Sequence, residues 1–329
     1  MEKKDVTLGI DIGGTNTKLG FVDREGNIVR EILLATRAEE HVTSFLPRLF
    51  DSIDSLYAEL AGQINWLGTG IGAPNANYYR GTIENPPNLQ WGGVIHFVDL
   101  FKKKYNLPTV ITNDANAAAL GEMIFGAARG MKNFIVITLG TGLGSGVVVN
   151  GELVYGHSGV AGEMGHLLVN TEGRLCGDGR RGCLEAYVSV TGIRRTVSKL
   201  LADSLEYSEL REVSQSELTG ERITEAALRG DKIALEAFEY TGEILGQKLA
   251  DTVLITSPEA IILFGGLANA KDLIFQPTLR SLDRYLFKPF RGTVKLIISE
   301  LQHRNAAILG TSALIWHELD RGNFADALS

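Results

Sequence analysis

Cysteine is nearly absent: Cys176 and Cys183 are the two in 329 residues, too few to staple a secreted disulfide scaffold. Long apolar runs are missing too, so no stretch approaches the roughly 18 residues a membrane span needs. Basic residues are outnumbered, 32 Lys and Arg against 39 Asp and Glu. A net charge of −7 argues against a nucleic-acid-binding surface. The start, MEKKDVTLGIDIGG, lacks the apolar core and small-residue cleavage site of a secretory signal and runs directly into a strand. These absences leave a cytoplasmic globular protein, with no nucleic acid and no membrane among its partners. Apolar content of 44% and charged content of 22% are ordinary for that class, and the length suits two lobes better than one core. Glycine is the surplus, with 38 residues gathered at 9–20, 68–72, 121–130, 140–146 and 177–182. Clustered glycine marks backbone that turns tightly or lies against a ligand.

VTLGIDIGGTNTKLGFVDREGNIVREILL reads as strand, glycine turn, strand, a turn at Glu25-Gly26-Asn27, and a third strand. Phe45, Leu49, Ile53, Leu56 and Leu60 then recur at helical spacing, with Thr43 or Ser44 as the cap and Pro47 in the first turn. INWLGTGIGAP is a short strand, and TVITNDANAAALGE a strand passing into an alanine-rich helix. The plan then restarts: NFIVITLGTGLGSGVVVNGELV is again strand, glycine turn, strand, turn, strand. A long helix runs through Leu235, Phe238, Leu245 and Leu249, and AIILFGG is a buried strand ending in two glycines. The repeat predicts two α/β lobes of similar plan around a central cleft, with function at the strand ends. The expected division is 1–112, completed by a C-terminal helix at about 305–329, and 113–304.

In DIGGTNTK, successive glycine N–H groups can cradle phosphate oxygens. Thr15 and Asn16 add donors, and Asp11 can hold a magnesium-bound water. The bland alternative is a hairpin whose glycines only permit positive φ. A second glycine turn, LGTGLGSG, weakens that alternative, since two phosphate cradles suit a nucleoside triphosphate. No G-x-x-x-x-G-K-[ST] loop occurs. GTGIGA at 68–73 matches a dinucleotide fingerprint only in form, because Pro74-Asn75 follows where a helix should. Asn113-Asp114 ends a strand and opens a helix. A carboxylate there can accept a proton from a substrate hydroxyl, or either residue can simply cap the helix.

DIGGTNTK, NDANAAALGE, LGTGLGSG, GEMGH, CGDGRRGCLEAY and FGG together resemble, in order and spacing, the ROK family of bacterial sugar kinases and repressors. The resemblance spans about residues 6 to 315. It implies the two-lobed, actin-like ATPase fold of sugar kinases. It further implies that Asp114 is the general base, that Asn113 and Asn88 bind sugar hydroxyls, and that Glu163, His166 and Glu185 bind hydroxyls at the far end of the ring. Gly13, Gly14, Thr15 and Lys18, with Thr141 and Gly142, would line the phosphates of ATP with Mg²⁺, and Gly265 and Gly266 the adenosine. Phosphoryl transfer fits such a set, since it needs positioning and charge neutralisation more than covalent chemistry. Two departures lie on the sugar side: Asn75 where many members have glycine, and Asn88-Leu89-Gln90-Trp91 where many read Asn-Leu-Pro-Gly-Trp.

The family's zinc motif is a histidine followed by Cys-x-Cys-Gly-x-x-Gly-Cys. Here Asp178 replaces the central cysteine, leaving His166, Cys176 and Cys183. Carboxylate is an admissible but harder zinc ligand. Either a structural zinc bound by His166, Cys176, Asp178 and Cys183, or a metal-free loop in which Asp178 pairs with Arg180 or Arg181, satisfies the sequence. With zinc present, one ring nitrogen of His166 would bind it while the other faces the sugar.

The expected activity is transfer of the ATP γ-phosphate to a hexose hydroxyl, glucose to glucose 6-phosphate first. Kinases for N-acetylmannosamine, N-acetylglucosamine or fructose are the alternatives. A sugar-responsive repressor is disfavoured because the first strand starts near Val6, leaving no room for a helix-turn-helix. The family precedent is a homo-oligomer, and a dimer is expected.

Overall fold

The computed structural model describes residues 3–301 and 304–324. They form two compact units. The first takes the described residues of Met1–Gly130, Leu153–Ala161 and His303–Ser329; the second takes Met131–Glu152 and those of Gly162–Gln302. Residues 113–130 thus belong with the first unit, where the sequence division had placed them in the second. So do 153–161.

In the first unit, β1 (Lys4–Ile12), β2 (Asn16–Val22) and β3 (Ile28–Ala35) form an antiparallel meander. Helix α1 (Val42–Glu59) leads to β4 (Ile64–Gly72). A small sheet of β5 (Ala76–Asn77), β6 (Thr82–Glu84) and β7 (Val94–Ile95) precedes α2 (Phe97–Tyr105), β8 (Thr109–Thr112) and α3 (Asp114–Phe125). The main sheet has the order β3-β2-β1-β4-β8, with β4 parallel to both β1 and β8. Alternation along β1 explains its two environments. Val6, Leu8, Ile10 and Ile12 enter the core with Phe45, Leu49, Ile53 and Leu56 of α1. The opposite face carries Thr7, Gly9 and Asp11. The cap of α1 is His41, whose side chain accepts the Thr43 N–H, rather than Thr43 or Ser44. Pro47 consequently lies in the second turn, where its missing N–H leaves the Thr43 carbonyl without an i+4 donor.

The terminal helix Ala306–Asp320 covers that opposite face; the rest of the expected helix, from 325 onward, lies outside the described residues. Gly20, Gly9 and Gly70 are register neighbours across β2, β1 and β4. A Cβ on Gly9 would strike the Ile308 carbonyl, and one on Gly70 the Thr311 carbonyl. Gly68 and Gly72 lie under the side chains of Ile315 and Thr311. This is the role of GTGIGA: period-two glycines let a helix backbone lie directly on the sheet. The contact is completed by the Thr7 and Ser312 hydroxyls, 2.7 Å apart.

In the second unit, β9 (Phe134–Leu139), β10 (Leu143–Val149) and β11 (Glu152–Leu153) form the meander, the last reaching the junction between the units. Then come α4 (Glu185–Val188), α5 (Val190–Asp203), α6 (Gly220–Leu228), α7 (Lys232–Thr256), β12 (Ala260–Phe264), α8 (Asp272–Tyr285) and β13 (Lys295–Ile298). The sheet order β11-β10-β9-β12-β13 repeats that of the first unit strand for strand, as the duplicated hairpins implied. Among the described residues no helix is long and apolar enough to cross a membrane.

Candidate active site

In the first unit the β1–β2 turn is Gly13-Gly14-Thr15, closed by the Gly13 N–H on the Asn16 carbonyl at 3.0 Å. Neither glycine has positive φ, so left-handed backbone does not explain them. Close approach does: a Cβ on Gly14 would stand 3.3 Å from both the Cβ and the carbonyl oxygen of Asn88. The structure thereby brings the predicted sugar residue Asn88 against the predicted phosphate turn. Thr15, Asn16 and Lys18 are exposed beside it, with Lys18 the cross-strand partner of Asp11.

Asn113 is the cap of α3, its Oδ1 accepting the Asn116 N–H at 2.7 Å. Asp114 is the first helical residue, and its Oδ1 accepts the Ala115 N–H at 2.9 Å. The capping duty that the sequence left open between them therefore falls on Asn113. Asp114 is open to solvent, yet surrounding protein raises its pKa through desolvation. Both hold for a carboxyl in a recess, reached by water on one side and desolvated on the others. Asp11 is raised to about 7, first by burial and then by the charge of Asp114, with Lys18 opposing. Its Oδ1 lies where a Cβ on Gly72 would come within 3.4 Å. A desolvated carboxylate next to a second one, beside a turn of amide donors, fits a divalent cation.

Asn75, a departure from the family pattern, has φ of 52°. Asparagine tolerates that left-handed conformation better than most residues, so it fills a position that glycine suits. Its Nδ2 donates to the carbonyls of Glu84 and Asn85, both at 3.2 Å.

In the second unit three segments converge on Leu143. Its N–H donates to Glu185 Oε2 at 2.9 Å. A Cβ on Gly165 would strike its carbonyl, which sets the Glu163–His166 turn against the same residue. The glycine turn before it is closed by the Gly140 N–H on the Gly142 carbonyl at 3.0 Å. Gly265, with φ of 101°, crosses the end of β9 so closely that a Cβ would stand 2.8 Å from the Leu139 carbonyl. Thr141, Gly142, Glu163, His166, Glu185, Gly265 and Gly266 thus gather around one strand end. A Cβ on Gly140 or on Gly266 would meet nothing within 4 Å. The fold does not demand glycine at either position, and a ligand lying against the backbone would.

His166, Cys176, Asp178 and Cys183 offer ligand atoms all within 4.8 Å of one another. A tetrahedral ion with bonds of about 2.0–2.3 Å holds its ligands roughly 3.3–3.8 Å apart, so little contraction is required. His166 Nδ1 is buried without a hydrogen bond and lies 3.2 Å from Asp178 Oδ2. An imidazole nitrogen without a hydrogen bond, in one cluster with two thiols and a carboxylate, fits zinc. The alternative pairing is also realised: Arg180 donates to Asp178 from its backbone N–H at 2.9 Å and from Nε at 2.6 Å. Arg181 instead bonds the Gly173 carbonyl. A carboxylate has acceptor sites for both an arginine and a metal, so the two arrangements are compatible. Sequence reasoning missed Arg174, whose guanidinium ties this loop to the carbonyls of Ala186 and Gly192 at 3.1 and 2.9 Å. One arginine among many carries no such signal in sequence.

Residues 7–318 match the ROK family. The chain belongs to that family. This ROK protein is 32% identical over 312 residues to the glucokinase of Thermotoga maritima, covering 94% of this chain and 96% of that one. It is 30% identical to the xylose repressor of Caldicellulosiruptor bescii over 95% of this chain and 79% of that protein. Among solved structures, a ROK family glucokinase from Streptomyces griseus in complex with glucose and AMPPNP has a TM-score of 0.77 at 33% identity, covering 94% of this chain and 98% of that one. The fold is accordingly the actin-like ATPase fold of ROK sugar kinases.

Proposed function

We propose that this ROK protein is an ATP-dependent sugar kinase whose preferred acceptor is glucose, giving glucose 6-phosphate and ADP. The observation that carries the reading is Asp114: a desolvated but solvent-reached carboxylate at the start of α3, its raised pKa suited to accepting a proton. The likeness to two glucokinases supports glucose as the acceptor.

Asp114 takes the proton of the sugar's primary hydroxyl as that oxygen attacks the γ-phosphorus. The bond from phosphorus to the ADP oxygen breaks, and ADP leaves with its electron pair. Asn88 and Asn113 orient hydroxyls near the attacking oxygen. The Asn113 amide NH₂ remains for this, since its Oδ1 caps α3. Glu163 and Glu185 accept hydrogen bonds from hydroxyls at the other end of the ring, and His166, with Nδ1 on the metal, donates its Nε2–H there; bidentate acceptance of neighbouring hydroxyls is how such a site distinguishes sugars. The glycine turns at 13–15 and 140–142 present backbone donors to the phosphates, and Gly265-Gly266 lies by the adenosine. Asp11 is the residue that would hold Mg²⁺, which neutralises charge on the phosphates. Zinc bound by His166, Cys176, Asp178 and Cys183 would fix the ring of His166 and has no part in the transfer.

A coupled ADP-release assay over glucose, mannose, fructose, N-acetylglucosamine and N-acetylmannosamine tests the reading. Turnover dominated by glucose is expected. Turnover dominated by an N-acetylhexosamine would retain the kinase and replace its substrate. Sugar binding without turnover of any of the five would favour the repressor-like reading that the xylose repressor match supports.

A further inference from the structure

The segment Cys183–Thr191 links the candidate metal cluster to the second glycine turn. On the turn's side, the Leu143 N–H donates to Glu185 Oε2 at 2.9 Å, the Val190 N–H to the Gly140 carbonyl at 2.9 Å, and the Thr191 hydroxyl to the Thr141 carbonyl at 3.0 Å. On the cluster's side, the Leu184 N–H donates to the Leu167 carbonyl at 2.8 Å, next to His166, and the Ala186 N–H to the Cys183 carbonyl at 3.0 Å. Glu185 stands between the two. One carboxylate oxygen is held by the turn, and the other lies 4.0 Å from Cys176 Sγ. Gly142 has no side chain because a Cβ there would strike this carboxylate.

We infer that Glu185 is a positioning residue that couples the metal cluster to the nucleotide: metal held by His166, Cys176, Asp178 and Cys183 tightens binding at the turn of Thr141 and Gly142. The inference rests on the reading that this turn takes nucleotide phosphates. Helix α4 is a single turn, too short to hold its own first residue in place by internal hydrogen bonds. Glu185 is that first residue, and its orientation is set by what fixes Cys183 two positions earlier. Ligation of Cys183 and His166 pins the segment that leads into α4 and the segment paired with it through Leu167 and Leu168. Without metal the Cys176–Cys183 loop keeps its backbone bonds, such as the Cys176 N–H on the Arg180 carbonyl at 2.8 Å, and the Asp178–Arg180 pair, but loses the ties through the metal that join Cys176, Asp178 and Cys183 to His166. The Glu185–Leu143 bond is then made by a carboxylate with fewer restraints, and ordering the turn comes at the expense of nucleotide affinity. The coupling is reciprocal by linkage, so nucleotide also tightens the metal.

The test is calorimetric titration of the full-length protein with ADP and Mg²⁺, zinc-loaded and after removal of zinc by a chelator. Stripping should weaken ADP binding about five-fold or more, within the usual range of coupling between sites. Glu185→Ala should bind ADP as weakly as the stripped protein whether or not zinc is present. Glu185→Gln, which keeps an acceptor for the Leu143 N–H, should restore much of the difference. Gly142→Ala displaces the same carboxylate without touching a metal ligand and should also abolish the zinc dependence. ADP affinity unchanged on stripping, zinc dependence surviving in Glu185→Ala, or failure to take up zinc at all would overturn the inference. If ADP binds no form, the nucleotide reading itself fails.

Discussion

The charge of Asp114 raises the pKa of Asp11, which burial has already pushed up, so that Asp11 titrates at about 7. In the unfolded chain its value is near 3.8. Between these two values the folded protein holds a proton that the unfolded chain releases, so stability contributed here falls as pH rises from about 4 to about 7. Asp11→Asn should therefore raise the melting temperature relative to the native protein at pH 8 and much less at pH 4. Thermal unfolding at the two pH values checks this; a pH-independent difference would mean that Asp11 is already ionised in the fold.

Asp114→Asn keeps the shape of the side chain and an acceptor for the Ala115 N–H. It should lower kcat by about 10²–10⁴-fold, the usual range for a general base, while sugar affinity stays within a few-fold. Steady-state kinetics with calorimetry on the same variant separates the two. Equal loss of turnover and sugar binding would make Asp114 structural.

Two classes of glycine are distinguished by substitution. Gly70→Ala forces a methyl onto the Thr311 carbonyl, and overpacking of this kind costs about 1–3 kcal/mol or more. It should lower the melting temperature by several degrees or prevent soluble expression. Gly140→Ala adds a methyl facing open space. Its melting temperature should be unchanged while KM for ATP rises. Thermal unfolding and kinetics on both variants decide the matter, and a large stability loss in Gly140→Ala would contradict the ligand-facing assignment.

Much of this was legible in sequence because each motif pairs a turn with a strand end. The two β-meanders, the glycine turns and the placement of Asp114 follow from strand–turn–strand patterning and the order of the motifs. Other features have no sequence signature. Backbone angles make Asn113 rather than Asp114 the cap of α3, and by type both residues are good caps. Helix α8 carries Pro277 in its interior, which masks its periodicity. The glycines of GTGIGA serve a helix more than 230 residues later, and only tertiary packing exposes that purpose. Leu143 acts through its amide, for which any residue other than proline would serve.

Replacing the family's central cysteine by Asp178 puts a harder, more weakly binding donor in a site that otherwise suits zinc. Protein purified without added metal should contain close to one zinc per chain, measured by atomic emission. Asp178→Cys should hold it at least ten-fold more tightly in a chelator competition, and His166→Ala should lose it. Metal content near zero in the native protein would leave Asp178 as a partner of Arg180 alone.

Phosphoryl transfer itself is tested by incubating the purified protein with glucose, ATP and Mg²⁺ and identifying the product by phosphorus magnetic resonance and mass spectrometry. Glucose 6-phosphate and ADP are expected in equal amounts, formed by the native protein and almost absent with Asp114→Asn. Folded native protein that leaves both ATP and glucose unchanged, or that forms the phosphate ester equally well without the Asp114 carboxylate, would contradict the proposed function.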